Sequence, residues 1–336
     1  MQLSERIFAF LQLGKKFSSL TQKEKEQLYN RAKAKNAWFT FDNIDFSIQQ
    51  IANNLTREKM DDWLQDYSLS ISNPKNIGLV TAGNIPLVGF HDFISVLLSG
   101  HNLMAKLSSQ DEVLMKYVAQ VIIEEQPEFK NKINFVEKLN NIDAIIATGS
   151  NNSSRYFEYY FGKYPNIIRK NRTSVAVLTG RENDTEYQGL GEDIFRYFGL
   201  GCRNVAKIYV PQNFNPAEFI ERLTPWQVVN ENHKYANNYD YNRSVYLLKQ
   251  LPFWEGGYFL MLETEDLYSP LAVLYFEKYH DLTKLKSKIK NQENQLQCVV
   301  GNIDYPGALP FGQAQKPAWK DYADNLDTMK FLNQLH

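Results

Sequence analysis

The sequence predicts an α/β fold with a doubly wound, mostly parallel sheet, a second α/β lobe and an N-terminal helical layer. Two observations predict it. From residue 73 onwards, short apolar runs alternate with amphipathic segments, as in repeated βαβ units. The chain has 336 residues, of which 43% are hydrophobic and 14% aromatic, and this is enough to build cores for two lobes.

Residues 1–72 predict the helical layer. Apolar residues recur among many Lys, Glu and Gln, and the segment TQKE at 21–24 is typical of a capping box that opens a helix. No residue of this segment indicates a chemical role.

The sheet region is predicted from its alternating segments. The expected strands of the first lobe are residues 77–81, 103–107, 133–136, 142–147 and 174–178. The expected helices are residues 86–99, a helix capped by Ser108 and Ser109, and residues 153–164. For the second lobe we expect helices at 216–223 and 226–235 and strands at 244–248, 258–262, 271–276 and 297–300.

Charge and cysteine content exclude several classes of function. With 37 basic and 38 acidic residues, the net charge of −1 argues against nucleic acid or an anionic membrane as the main partner. The first residues lack a signal-peptide layout, and no apolar run is long enough to span a bilayer. The two cysteines cannot build a disulfide framework or a zinc site. We therefore expect a cytoplasmic protein without a metal, a nucleic-acid partner or a membrane span.

Three loops follow predicted strands, where a doubly wound sheet binds its ligands. In TAGNIP (81–86), Asn84 is either a helix N-cap or an amide donor to an oxyanion. Lys106 is either a surface residue or a ligand of ribose or phosphate. The loop at 147–154 is either an ordinary polar turn or a pyrophosphate cradle at a helix N-terminus.

Cys202 lies in FGLGC (198–202), between a helical pattern and a predicted strand. Glycines beside it would leave its sulfur accessible and its backbone N–H free to face an oxyanion. A lone cysteine is more often a buried core residue, so this motif alone is weak. The chain has no Gly-x-Gly-x-x-Gly, Walker or His-Glu-x-x-His motif, so a dinucleotide would need other loops.

Taken together, the motifs resemble the aldehyde dehydrogenase superfamily over residues 75–315. The matching segments, in order, are Asn84 before Ile-Pro, GHNLMAKLSS (100–109), ATGS (147–150), FGLGC (198–202) with AKIYVP (206–211), DLYSPL (266–271) and PFG (310–312). The resemblance implies Cys202 as the nucleophile and Asn84 as the oxyanion donor. It implies a cofactor site formed by Lys106, Ser109, Thr148, Gly149, Ser150 and Asp266. It also implies a dinucleotide-binding lobe at 73–180, a catalytic lobe at 181–312 and a C-terminal helical tail at 313–336.

Two departures from the superfamily pattern narrow the chemistry. Arg169 stands about where hydrolytic members carry the glutamate that activates water, and arginine cannot act as a base at neutral pH. A thioester on Cys202 would then be reduced, a pattern similar to the acyl-CoA reductase family, which includes the fatty-acyl reductase of bacterial luminescence. Ser109 replaces a glutamate that binds ribose hydroxyls, and with Lys106 nearby it favours NADPH.

The expected function is therefore NADPH-dependent reduction of an acyl-CoA to an aldehyde. One alternative is an NAD(P)-dependent aldehyde dehydrogenase that forms an acid, with His233 or Glu263 as the base. Another is a catalytically silent binding protein. The acyl chain length is not set by the sequence, and a homo-oligomer rests on the resemblance alone.

Overall fold

The computed structural model describes residues 1–69, 71–149 and 151–335, which form two compact units. The first unit comprises Met1–Asn171 and Ala318–His336, and the second comprises Arg172–Pro317. The mixed α/β architecture confirms the predicted fold class.

The first unit begins with a layer of helices. They are α1 (Leu3–Ser18), α2 (Gln22–Lys35), α3 (Phe41–Asn54) and α4 (Arg57–Leu64). The predicted capping box is confirmed, because Thr21 N donates to the Glu24 carboxylate at 2.8 Å and Glu24 N donates to Thr21 Oγ1 at 3.3 Å. Buried side chains of these helices, among them Phe10, Ile44 and Trp63, belong to the core of the first unit.

A five-stranded parallel sheet lies in the first unit. Its strands are β1 (Asn76–Val80), β2 (Asn102–Lys106), β3 (Ile133–Phe135), β4 (Ala144–Thr148) and β5 (Asn166–Arg169), in the order β3-β2-β1-β4-β5. The chain runs outward from β1 to β2 and β3, then returns to the other side of β1 with β4 and β5. The carboxyl ends of β1 and β4 therefore flank the switch point at which such sheets bind ligands. Strand β5 was not predicted.

Helices of the first unit differ from the prediction at their starts. They are α5 (Phe90–Ser99), α6 (Glu112–Glu125), α7 (Asn151–Phe161) and the C-terminal α12 (Thr328–Asn333). Helix α5 begins four residues later than expected because residues 81–89 form an irregular loop. The prediction that Ser108 and Ser109 cap α6 is wrong, since Asp111 occupies the N-cap position.

A six-stranded sheet lies in the second unit. Its strands are β6 (Thr173–Val177), β7 (Val205–Pro211), β8 (Trp254–Glu255), β9 (Leu260–Glu263), β10 (Val273–Tyr279) and β11 (Leu296–Val300), in the order β11-β6-β7-β10-β9-β8. Neighbouring strands are parallel except β8 and β9.

The unit boundary differs from the expected lobes. Strand β6 was expected in a lobe ending at residue 180, but it hydrogen-bonds to β7 and β11, so the boundary falls at residue 171. The C-terminal segment returns to the first unit from residue 318, where Met329 and Leu332 of α12 are buried in its core.

The helices of the second unit are α8 (Asp184–Phe195), α9 (Pro216–Arg222), α10 (His233–Leu248) and α11 (Leu282–Asn291). The predicted strand at 244–248 is wrong, because these residues form the end of α10. The Asn232 side chain caps α10. The buried residues of this helix recur at helical spacing and are Tyr235, Tyr239, Asn242 and Tyr246. Across the described parts of both units, no helix has the length and apolarity to cross a membrane.

Candidate functional site

Cys202 lies on a strained turn between α8 and β7, and its side chain is exposed. Helix α8 ends at Phe195, and Tyr197 and Phe198 adopt left-handed φ angles of 56° and 60°. This conformation costs about 1–2 kcal/mol for each L-residue. The Phe198 ring packs against buried Tyr235, with 5.9 Å between ring centroids, which helps to offset the strain. The sharp reversal leaves Cys202 facing solvent.

Asn204, which no sequence motif singled out, holds this turn together. Its Nδ2 donates to the carbonyl oxygens of Arg196 at 2.8 Å and of Asp193 and Ile194 at 3.2 Å each. Its Oδ1 accepts from Gly201 N at 2.9 Å. The side chain, only 3% exposed, therefore links the end of α8 to the residue before Cys202. An asparagine two residues after a cysteine that follows a glycine was the available signal.

Ser174 connects the backbones of both cysteines. Its Oγ donates to the Cys202 carbonyl oxygen at 2.9 Å and accepts from Cys298 N at 3.0 Å. Arg203 Nη1 lies 3.3 Å from both Cys298 Sγ and the Ala314 carbonyl oxygen. Cys298 is buried, so the two thiols differ in accessibility.

Asp193 of α8 forms hydrogen bonds to the backbone of the C-terminal PFG motif (310–312) and of Ala314. Its carboxylate accepts from Gly312 N at 2.6 Å and from Ala314 N at 2.9 Å, and its side chain is fully buried. Burial raises the pKa of Asp193 to about 7, against the lowering effect of these two bonds. Gly312 has a φ of 80°, and a Cβ there would lie 3.0 Å from Gly189 Cα, so a glycine is required.

Asp266 is exposed in the loop after β9, and buried Lys207 holds that loop. Lys207 Nζ donates to the Glu265 carbonyl oxygen at 2.8 Å and to the Glu277 carboxylate at 2.6 Å. Burial lowers the pKa of Lys207, although Glu277 opposes this effect. His233 and Glu263, the alternative bases, are both exposed.

Asn84 lies in the loop of residues 81–89, here named the Asn84 loop. Its predicted alternative role as an N-cap is wrong, because Gly89 occupies that position in α5. The loop contacts the turn after β2, where Ser108 N donates to Thr81 Oγ1 at 3.2 Å. A Cβ at Gly83 would lie only 2.7 Å from Ser108 Cβ, so glycine permits this approach.

Apart from Asp266, the residues expected to bind a cofactor lie at the carboxyl ends of β2 and β4 and in the turns that follow. Lys106 and Ser109 have exposed side chains, and the next carboxylate, Asp111, is buried with its Oδ2 accepting from Leu87 N at 2.8 Å. This turn therefore offers a cation and a hydroxyl, which fit the added phosphate of NADPH.

The β4 side of the same sheet edge carries the other expected cofactor residues. Thr148 ends β4, and a Cβ at Gly149 would lie 2.8 Å from Ser153 Cβ, at the start of α7. The close packing of this strand-to-helix junction therefore requires glycine. Ser150 lies outside the described residues.

Arg169 forms a buried ion pair at the end of β5. Its guanidinium donates to both carboxylate oxygens of Asp92, to Thr328 Oγ1 at 3.1 Å and to Thr148 Oγ1 at 3.3 Å. Burial alone would raise the pKa of Asp92, but Arg169 brings it below its usual value. Arg169 thus links β5 to Thr148 and to α5.

Known structures share this fold. Aldehyde dehydrogenase 21 from Physcomitrella patens aligns with a TM-score of 0.68 and 14% identity, covering 90% of this chain and 74% of that chain. GapN, a glyceraldehyde-3-phosphate dehydrogenase from Methanocaldococcus jannaschii solved with NADP, gives 0.64 and 12%, covering 90% and 77%. An acetylating aldehyde dehydrogenase from Geobacillus thermoglucosidasius gives 0.62 and 11%, covering 94% and 83%. At these identities the similarity shows the fold alone.

A comparison with protein-family models assigns a family to this chain, which the fold similarity alone does not. The model of the acyl-CoA reductase (LuxC) family matches residues 15–240, more than half of the chain. A search of curated proteins returned no match. The matched region includes Asn84, Lys106, Thr148 and Cys202. The chain is an oxidoreductase with an aldehyde dehydrogenase fold, and it belongs to the acyl-CoA reductase (LuxC) family.

Proposed function

We propose that this protein reduces an acyl-CoA to an aldehyde, with NADPH as the reductant and a thioester on Cys202 as the intermediate. The observation that carries the proposal is the exposed Cys202 thiol on a turn that Asn204 and Ser174 hold in place. A solvent-facing thiol on a fixed backbone suits a nucleophile, whereas a structural cysteine is normally buried. Cys298 is the buried counterpart in the same unit.

The proposed reaction has two stages, transfer of the acyl group to Cys202 and its reduction to the aldehyde. The Cys202 thiolate attacks the thioester carbonyl carbon, the bond to the CoA sulfur breaks, and CoA takes up a proton after leaving. When bound, NADPH supplies the hydride that reduces the acyl group. The Cys202 C–S bond then breaks, releasing the aldehyde and the thiolate. One acyl-CoA, one NADPH and one proton give one aldehyde, one CoA and one NADP⁺.

Charge develops on the carbonyl oxygen in both stages. We assign the Asn84 side-chain amide and the Cys202 backbone N–H as its donors, which follows the superfamily resemblance. Fixed donors of this kind are worth roughly 10²–10³ in rate.

For the cofactor we assign Lys106, Ser109, Thr148, Gly149, Ser150 and Asp266. Lys106 and Ser109 would contact the ribose phosphate, which supports NADPH over NADH. The loop that begins with Gly149 would meet the pyrophosphate at the N-terminus of α7. Asp266, on the loop held by Lys207, would orient the nicotinamide ribose.

Reduction is favoured over hydrolysis because Arg169 cannot activate water. Its guanidinium is engaged by Asp92, Thr328 and Thr148. An arginine in a buried bidentate pair stays protonated and offers no basic site.

The test follows NADPH oxidation with acyl-CoA substrates of graded chain length and traps the aldehyde. Cys202→Ala should abolish aldehyde formation and keep NADPH binding, measured by cofactor fluorescence, while Cys298→Ala should stay active. Iodoacetamide should modify Cys202 well before Cys298.

Reductase activity in Cys202→Ala would overturn the mechanism. Acid formation from aldehyde and NAD(P)⁺ without CoA would instead support the dehydrogenase, and acyl-CoA binding without turnover would support a binding protein.

A further inference from the structure

The N-terminal helical layer holds the Asn84 loop through two buried polar side chains. Asn36, which follows α2, donates from Nδ2 to the Gly83 carbonyl oxygen at 2.9 Å. Ser47, within α3, donates from Oγ to the Pro86 carbonyl oxygen at 2.8 Å. Both side chains are buried, at 3% and 7% exposure.

The two bonds fall on either side of Asn84. The Gly83 carbonyl belongs to the same planar peptide group as the Asn84 N–H, so Asn36 sets the orientation of that plane. The Pro86 carbonyl lies two residues beyond Asn84. Together the two bonds restrict the backbone that carries the Asn84 side chain.

The Asn36 side chain is itself held in orientation. Its Oδ1 accepts from Trp38 N at 3.1 Å, which directs the amide nitrogen toward Gly83. Asn36 is thus prepared to donate before any ligand arrives.

Asp111 fixes the far end of the loop. Its Oδ2 accepts from the N–H of Leu87, a non-glycine residue with a left-handed φ of 58°. Such a conformation persists only where surrounding contacts enforce it. The loop is therefore held from the helical layer and from the start of α6.

We propose that Asn36 and Ser47 are positioning residues that fix the Asn84 loop, so that the Asn84 amide is in place to stabilise the oxyanion. The proposal rests on the oxyanion role of Asn84 in the proposed function. It gives the N-terminal layer a part in the reaction although neither residue touches substrate. An imperfectly placed donor loses part of its effect in the transition state, while ground-state binding is retained.

The first test is Ser47→Ala, which suits a helix interior and removes only the donor. We expect kcat to fall about tenfold with the acyl-CoA KM and NADPH affinity unchanged, as for a lost transition-state interaction. Ser47→Thr, which keeps the hydroxyl donor, should keep kcat near the wild-type value. The matched control is Ser99→Ala, because Ser99 is also buried in a helix and donates only to the Val96 carbonyl at 2.8 Å. Asn36→Ala should repeat the kcat loss from a separate element, so the test survives if one variant folds poorly.

The second test is a double-mutant cycle with Asn84→Ala. If Ser47 acts through Asn84, Ser47→Ala should cause little further loss in the Asn84→Ala background. Additive losses, or a Ser47→Ala kcat equal to that of Ser99→Ala, would overturn the positioning role and leave the proposed function intact. Full activity of Asn84→Ala would overturn the oxyanion assignment, and the positioning role with it.

Discussion

Asn204 Oδ1 accepts a hydrogen bond of 2.9 Å from Gly201 N, immediately before Cys202. The same side chain donates to three carbonyl oxygens at the end of α8. One buried amide thus sets the geometry of the turn that presents the thiol. The left-handed Tyr197 and Phe198 lie within the backbone that it closes.

Asn204→Ala should lower both stability and activity. The buried carbonyls of the α8 end would lose their donor, and we expect the free energy of unfolding to fall by about 1–3 kcal/mol. Aldehyde formation should fall at least tenfold, because a displaced nucleophile loses its attack geometry. Urea unfolding and NADPH oxidation measure the two effects. Wild-type turnover in a destabilised variant would show that Asn204 is structural only.

Gly199→Ala should change the reactivity of the Cys202 thiol through backbone strain alone. Gly199 has a φ of 76°, and an added Cβ would have no atom nearer than 3.6 Å, so strain and not a clash opposes it. Gly307→Ala is the matched control, because Gly307 has a φ of 74° with open space around it. Both variants should lose about 1–2 kcal/mol of stability. Only Gly199→Ala should alter the iodoacetamide reaction of Cys202, and an equal change in both variants would contradict this.

Arg169→Met should destabilise the protein by about 3–5 kcal/mol, because it leaves the buried Asp92 carboxylate without its partner. Replacing both residues, as Arg169→Met with Asp92→Leu, should recover most of that loss. The pKa of Asp92 is lowered on folding, so its contribution is fully present above the unfolded carboxyl pKa and is lost progressively as pH falls from there through the folded pKa. Urea unfolding at pH 7, and at about pH 3 where most unfolded carboxyls are protonated, checks both statements. Equal stability of the single and double variants would contradict the ion-pair account.

Asp193 should give the stability a pH dependence of opposite sign. Because burial raises its pKa to about 7, the folded state keeps the proton where the unfolded chain has lost it. Its stabilising effect is therefore fully present below the unfolded pKa and declines as pH rises toward about 7, after which it is constant. The stability difference between wild type and Asp193→Asn should fall between pH 5 and pH 7 and level off by pH 8. A difference that does not change with pH would refute the raised pKa.

Local patterns predicted most of the sheet but not all of it. Strands such as β1, β2 and β4 are short apolar runs, and the structure confirms them within a few residues. Strand β5 was missed because Asn166–Arg169 is short and half polar. The error at 244–248 arose because Val and Tyr favour strands, whereas the Asn232 cap and the helical spacing of buried tyrosines decide the outcome.

The supporting residues of the candidate site could not be predicted in the same way. Asn36 acts on a carbonyl 47 positions away, and Ser174 joins residues that lie 28 and 124 positions from it. Nothing in local periodicity encodes such partners. Asp193 likewise reads as one more acidic residue of a helix until its burial and its bonds to the PFG segment are seen.

By itself, the sequence determined the alternation of strands and helices and the order of the motifs that carry Asn84, Lys106 and Cys202, because spacing, turn residues and side-chain chemistry are local properties. Only the tertiary structure decided which polar groups are buried, which carbonyls Asn36, Ser47 and Asn204 satisfy, and how Tyr197 and Phe198 bend the chain before Cys202. The physical reason is that burial and hydrogen-bond satisfaction depend on neighbours distant in sequence, and those neighbours are brought together only when the two cores form.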